Sequence, residues 1–324
     1  MFIHRTFAML TLATFCLGGH GDAATIFPVC KTLLARSGAQ VQTDGETSER
    51  EKLQSTLKNN SFEVERGLDS SDFLLGGDLI PLLKKLKPGH RWANIGAGAA
   101  RTEIDGYLNN PEFDNKGSVV SVSISKPNDE KLILAEKQFG ETQFRYVEKP
   151  VESTTLADFG GQADVVSDVL ASVQYADSIF EVINKFAEIT RVGGDILVHV
   201  STRFNGKVKT GPGKMENAKY DSIKIYDSKN NELSLIDWLQ TFKGLKLVNH
   251  KIWYPDDDPS KGENVFFHLK KVSSNFTVTP LVLMEPPKAA LIPPSTYVPE
   301  RKYMITTKKA YLKAKALLAK PRDH

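Results

Sequence analysis

Residues 92–100 read Trp92-Ala93-Asn94-Ile95-Gly96-Ala97-Gly98-Ala99-Ala100. A short apolar run meets two glycines one residue apart, and a helical pattern follows from Arg101. This spacing predicts a strand, a tight turn and a helix. Glycine there lets the backbone take positive φ and lets a ligand approach the unpaired amides at the helix start. Two nucleotide-site patterns are excluded. The dinucleotide fingerprint needs glycine at position 101, where Arg101 stands. Gly211-Pro212-Gly213-Lys214-Met215 only superficially suggests a phosphate loop, because Val208 replaces its first glycine and Met215 its hydroxyl residue. Neither a nicotinamide enzyme nor a P-loop NTPase is supported.

The pattern extends outward from this turn. Upstream, Phe73, Leu74, Leu75, Leu79, Ile80, Leu82, Leu83 and Leu86 recur at helical spacing, predicting a helix over Phe73–Lys87 capped by Ser71-Asp72 and ended by Pro88-Gly89. Strands are expected at Arg91–Ile95, Ser118–Ile124, Phe144–Val147, Asp164–Ser167, Asp195–Val200, Leu245–His250 and Val265–Lys270. Helices are expected at Arg101–Leu108, Asn128–Phe139, Ala176–Thr190 and Leu233–Phe242. Such alternation predicts a mostly parallel sheet covered on both faces.

Leu86-Lys87-Pro88-Gly89-His90-Arg91-Trp92-Ala93-Asn94-Ile95-Gly96-Ala97-Gly98 resembles the opening of class I S-adenosylmethionine-dependent methyltransferases. There a helix closing in Pro-Gly precedes a strand that ends in acid-x-Gly-x-Gly-x-Gly. Asp164–Leu170 looks like the family's fourth strand and following loop, Ala187–Val200 like the approach to its fifth, and Trp238–Lys270 like its closing helix and antiparallel pair. The resemblance covers roughly residues 70–272 and implies an α/β, Rossmann-like class I methyltransferase fold, with a mostly parallel seven-stranded sheet flanked by helices. It also implies S-adenosylmethionine as cofactor, contacted by Asn94, Gly96, Ala97, Gly98, Ser123, Glu152 and Asp168. Methyl transfer rests largely on positioning, so no catalytic base is named.

Three positions depart from the family pattern. Asn94 replaces the opening acid, Ala100 the third glycine, and Ser123 the acid that holds both ribose hydroxyls. A serine offers one neutral hydrogen bond where a carboxylate offers two charged ones, a loss of roughly ten- to a hundredfold in affinity. Pro150 sits where the family often has an acid facing the adenine amine, with Glu152 as the substitute. Asp168 reads equally as a ligand contact or a helix cap. The alternative to an enzyme is a catalytically degenerate fold kept as a binding module.

The ends of the chain differ from its centre. The start carries His4 and Arg5, the apolar run Phe7–Leu17 and the small-residue site Gly21-Asp22-Ala23, the pattern of a secretory signal peptide. The run is shorter than the roughly 20 apolar residues that span a bilayer. A secreted or periplasmic location is expected, and cleavage would leave Cys30 as the only cysteine of the two. With 40% hydrophobic and 25% charged residues and a mean hydropathy of −0.29, the 324-residue chain has ordinary globular composition. Its formal net charge is only +3, but residues 301–324 hold eight Lys or Arg against one acid. The expected organisation is a signal peptide over 1–23, an N-terminal helical segment over 24–69, the methyltransferase-like domain over 70–272, a Pro-rich linker over 273–299 and a basic helical tail over 300–324. That tail suits an acidic partner or anionic lipid. No aromatic-interleaved basic groove supports sequence-specific nucleic-acid recognition. No histidine spacing suggests a metal site, and His199, in an apolar strand, reads as a structural histidine. Residues 207–226 are expected to form a glycine-bearing insertion that contacts substrate.

Overall fold

The computed structural model describes residues 66–114, 116–176, 178–211, 214–221, 223–254, 257–260, 262–284 and 301–318. The expected signal peptide, Cys30 and nearly all of the N-terminal helical segment lie outside these residues.

Helices α1 (Leu68–Leu74) and α2 (Leu79–Leu83) lead into β1 (Arg91–Ile95). The single helix expected over Phe73–Lys87 is thus two short ones. Gly76 and Gly77 break it at φ of 70° and 84°, and Asp72, instead of capping the first, accepts the Ile80 N–H of the second at 2.8 Å. Next come α3 (Arg101–Glu103), which continues as a π-helical turn over Ile104–Leu108, then β2 (Ser118–Ser123), α4 (Glu130–Gln143) and β3 (Phe144–Glu148). After the short α5 (Leu156–Phe159) come β4 (Ala163–Val169), α6 (Ser172–Tyr175) and α7 (Ile179–Ile189). The chain continues through β5 (Thr190–Gly211), β6 (Lys214–Asp221), β7 (Ile223–Tyr226), β8 (Glu232–Leu233), α8 (Leu235–Gln240), β9 (Leu245–Trp253) and β10 (Gly262–Lys271).

The main sheet has the order β3-β2-β1-β4-β5-β10-β9, with β6 pairing outside that path on β5. Strands β1 to β5 are parallel, and β10 runs antiparallel to both β5 and β9. This is the seven-stranded Rossmann-like arrangement expected from the sequence. The chain winds outward from β1 to β3 and then returns to β4, so the carboxyl ends of β1 and β4 flank the switch point where open α/β sheets bind ligands. Within the expected insertion, β5 extends into an antiparallel pairing with β6 that sets Arg203 against Asp221 and Gly211 against Lys214.

Two apolar layers cover the sheet. Ala93, Ile95, Val120, Val166 and Val198 face α7, whose Ile179, Val182, Ile183 and Phe186 recur at helical spacing on its buried side. Trp92, Val119, Val165 and Leu197 face the other way, against Leu75, Leu79, Leu83 and Tyr107. The alternation along each strand is the two-residue period of a pleated sheet with both faces buried.

The packed structure continues past residue 272. Val278 and Leu281 are buried in the same apolar layer as Trp238, whose Nε1 donates to Thr279 O at 2.9 Å. A second sheet follows the order β11-β12-β7-β8, with β11 at Leu281–Leu283 and β12 at Arg301–Ile305. The expected all-helical tail is therefore a buried strand and then α9 (Lys308–Leu318), because Tyr303 and Ile305 supply an alternating apolar face.

Candidate functional site

The glycine turn lies at the carboxyl end of β1, beside the switch point. Gly96, Gly98 and Ala100 all take left-handed backbone conformations, with φ of 76°, 55° and 58°. Gly96 N–H and Ala97 N–H both donate to Val122 O, at 2.8 and 3.1 Å, which ties the turn to β2. Gly96 is solvent-exposed and Ala97 and Gly98 are half-buried, so the turn presents backbone to a ligand. A Cβ added at Gly96 would fall 2.1 Å from the Ala171 Cβ, in the segment joining β4 to α6. Glycine is required here by this close approach as well as by φ.

Asn94 lies beneath the turn and belongs to a buried polar chain. Trp92 Nε1 donates to Ser167 Oγ at 2.8 Å, Ser167 Oγ to Asn94 Oδ1 at 2.7 Å, and Asn94 Nδ2 to Glu103 Oε1 at 2.9 Å. Ser121 Oγ reaches the same carboxylate oxygen at 2.8 Å. The register aligns Ser121, Asn94 and Ser167 across three adjacent strands, so all three side chains face α3. Burial pushes the Glu103 carboxyl up to about 7, despite the Asn94 and Ser121 bonds that favour its anion. Its Oε2 is buried with no hydrogen-bond partner among the described residues. A buried carboxyl group on α3 thus lies against Asn94. Glu103, Ser121, Ser167 and Tyr146 were not singled out from the sequence. A signal was present for two of them: Ser121 and Ser167 are polar residues at one register position in otherwise apolar central strands.

Ser123 ends β2 and hydrogen-bonds the Tyr146 phenol, which reaches over from β3. The Tyr146 hydroxyl also lies 2.5 Å from Gly98 O and 3.1 Å from Ser125 O. Asp168, fully buried at the end of β4, accepts Ala171 N–H on Oδ1 at 3.0 Å and Val173 N–H on Oδ2 at 3.2 Å. Its side chain has the cap geometry, and burial pushes its carboxyl up to about 7 against these amide bonds. Glu152 lies in the short turn Val151–Ser153 after β3, at the same edge of the sheet but two strands from β1. His199 is buried and stacks on Trp253 at 4.8 Å, and burial holds it neutral, its pKa lowered to about 3.

At the carboxyl end of β1, left-handed glycines open the turn, and no side chain at Gly96, Ala97 or Gly98 is larger than a methyl group. The strand order and this turn define the class as a Rossmann-like α/β protein of the class I methyltransferase fold. No family model matches the chain, and no curated protein does. Among solved structures, an S-adenosylmethionine-dependent methyltransferase from Clostridium acetobutylicum ATCC 824 is 10% identical, covering 68% of this chain and 98% of its own, with a TM-score of 0.38. The N-methyltransferase NodS from Bradyrhizobium japonicum WM9, in complex with S-adenosyl-L-homocysteine, is 8% identical over 70% of this chain and 100% of its own, with a TM-score of 0.39. The glycopeptide N-methyltransferase MtfA, complexed with S-adenosyl-L-methionine, is 11% identical over 64% of this chain and 95% of its own, with a TM-score of 0.36.

Proposed function

We propose that the protein binds S-adenosylmethionine at the carboxyl edge of the main sheet and transfers its methyl group to an acceptor. The observation that carries this reading is the left-handed turn Gly96–Ala100, solvent-exposed at Gly96, at the β1/β4 switch point. The bound sulfonium would supply the activated methyl group. The chain's own contribution is positional: the turn offers backbone, Ser123 one hydroxyl, and the buried Trp92-Ser167-Asn94-Glu103 chain holds the strand beneath the turn rigid.

A second reading has its own observation. Asn94, Ser123 and Asp168 spend side-chain hydrogen bonds on the protein itself, as expected of a methyltransferase fold kept as a binding module. Calorimetry with S-adenosylmethionine and S-adenosylhomocysteine on the full chain separates the two. Binding tighter than about 100 μM, roughly −5.5 kcal/mol, with methyl transfer in an acceptor screen supports the enzyme. Binding without transfer supports the module. Silence at millimolar ligand in a folded sample overturns the enzyme and leaves the module, which need not bind the cofactor.

We also propose that the protein is exported, a reading supported by the run Phe7–Leu17 and the site Gly21-Asp22-Ala23. Mass measurement of the protein recovered from cells tests it, since removal of residues 1–23 is the expected result. The basic residues of 301–324 suit an acidic partner or anionic lipid, and salt-sensitive binding to anionic vesicles is the corresponding test.

A further inference from the structure

At the amino ends of β1, β4 and β5, the sheet edge opposite the glycine turn, lies a cavity of about 760 Å³. That is the size of a small-molecule site. Leu86, Phe113 and Val165 give it a buried apolar floor. Two of its cations are held by buried carboxylates. Arg191 Nε pairs with Asp164 Oδ1, and Asp164 Oδ2 accepts the Arg91 N–H at 2.7 Å. Lys270 Nζ lies 3.1 and 3.3 Å from the two oxygens of Asp195, whose Oδ1 also lies 2.9 Å from His268 Nε2. Each carboxylate is therefore committed to groups of the protein. The cations they hold stay close to half exposed, at 46% for Arg191 and 43% for Lys270, with donors left over.

The backbone is shaped to bring Arg191 here. Ala163 pairs with Thr190 and Val165 with Asp195, so the β5 residues Arg191–Gly194 all stand opposite Asp164 alone. Such a bulge re-aims side chains out of a strand, and it carries Arg191 and Gly193 to the cavity wall. A Cβ at Gly194 would fall 2.9 Å from Asp164 O, which shows how tightly the bulge packs on β4, whereas Gly193 has φ of 84° and open space around it. The connection from α2 to β1 adds the exposed Lys84, Lys85 and Lys87. Among the described residues Lys85 and Lys87 pair with no carboxylate, and Lys84 meets Glu112 only at 3.9 Å. Glu112 and Asp114, the remaining acids of the wall, are exposed.

We infer that this cavity binds a small organic phosphate, a phosphomonoester on an apolar body. The body lies on Leu86, Phe113 and Val165, and the phosphate takes the spare donors of Arg191 and Lys270 together with Lys85 and Lys87. A dianion with three terminal oxygens uses more of these cations than a carboxylate can, and a guanidinium held by a carboxylate on one side is pre-oriented to bind phosphate with the other. The site stands apart from the glycine turn and does not rest on the adenosyl-binding reading.

The test titrates naphthyl phosphate, naphthoate, naphthol and inorganic phosphate into the full chain by calorimetry. Naphthyl phosphate should bind tightest of the four. Its affinity should fall roughly ten- to a hundredfold in Arg191→Ala and in the double variant Lys85→Ala/Lys87→Ala, the worth of one charge-assisted hydrogen bond or more. Equal affinity for naphthoate or naphthol overturns the phosphate assignment, and equal affinity for inorganic phosphate overturns the apolar floor. Unchanged affinity in both folded variants, or no binding at millimolar naphthyl phosphate, overturns the site. Hydrogen exchange on the unaltered chain guards against a variant that fails to fold. Naphthyl phosphate should protect residues 84–91 and 190–195, and protection confined to 95–100 and 168–173 would place the probe at the glycine turn and overturn the inference.

Discussion

Asn94 Nδ2 donates a hydrogen bond to Glu103 Oε1 across 2.9 Å, joining the strand that enters the glycine turn to the helix that leaves it. The donors of the chain point one way, from Trp92 through Ser167 and Asn94 to the carboxylate, with Ser121 adding another. A neutral amide in the strand is therefore paired with a fully buried acid on the helix. Buried polar chains of this kind fix geometry strongly when satisfied and cost stability where an oxygen is left over, as at Glu103 Oε2.

That leftover oxygen sets a pH dependence. The Glu103 carboxyl is raised from 4.5 to about 7 by burial, so the folded state holds a proton that the unfolded state releases between those values. Stability contributed by this group falls as pH rises through that window. Asp168, raised from 3.8 to about 7, acts in the same direction, while His199, lowered from 6.5 to about 3, acts oppositely. Glu103→Gln keeps the acceptor for Asn94 and removes the titration. The variant should be more stable than the parent at pH 8, with the difference shrinking as pH falls to 5. Urea unfolding of both proteins across this range checks it, and parallel pH profiles would contradict the assignment.

A glycine that is held by sterics gives a second expectation. Gly96→Ala must place a Cβ at φ 76° and 2.1 Å from the Ala171 Cβ. Left-handed backbone and overpacking together should cost about 3 kcal/mol. Adding Ala171→Gly should restore the steric part and leave the backbone part. A double-mutant cycle on thermal or urea stability separates the two, and strict additivity would show that the approach of Ala171 is not the constraint.

The sheet was legible because its strands are apolar runs set apart by turn residues, and the parallel order follows from helices placed between them. The glycine turn was legible for the same local reason. What could not be read were relationships across the sheet. Nothing near Ser123 in sequence announces Tyr146, which reaches it from the neighbouring strand β3, and Glu103 reads as an ordinary helix acid until the register sets Ser121, Asn94 and Ser167 beside it. Gly76-Gly77 was passed over because the leucines on either side keep helical phase. The boundary at residue 272 followed composition, whereas Val278 is buried in the core and Leu281 is held by the pairing of β11 with β12 across a long sequence separation.

His268 makes a third test possible at the opposite edge of the sheet. Its Nδ1 lies 2.9 Å from Asp78 Oδ2 and its Nε2 2.9 Å from Asp195 Oδ1, so both ring nitrogens face carboxylates. Burial pushes Asp195 up, but its bonds to His268 and Lys270 outweigh this and hold it below the usual carboxylate range. His268→Ala removes the ring that bridges the two carboxylates and should destabilise by about 1–3 kcal/mol. The same change in an Asp195→Asn background should cost clearly less, and equal costs would show that the ring acts by packing alone.

The final prediction concerns Arg301, distant in sequence from the glycine turn yet mechanically close to it. Its guanidinium, 2% exposed, donates to Gln174 O at 2.8 Å and also bonds Ala176 O, with Val173 O at 3.4 Å. These carbonyls lie at the end of α6, whose start is held by Asp168 and preceded by Ala171 against Gly96. The C-terminal strand thus fixes one end of the segment that packs on the turn. Arg301→Met keeps the length and apolar stem but removes the charge-assisted donors, each contributing about 1.5–3 kcal/mol. Hydrogen exchange should accelerate over 171–176 and over the Gly96 and Ala97 amides, while the strand pairing of β9 with β10 stays protected. If exchange rises only around residues 301–305, β12 is a local attachment and the turn is braced from elsewhere.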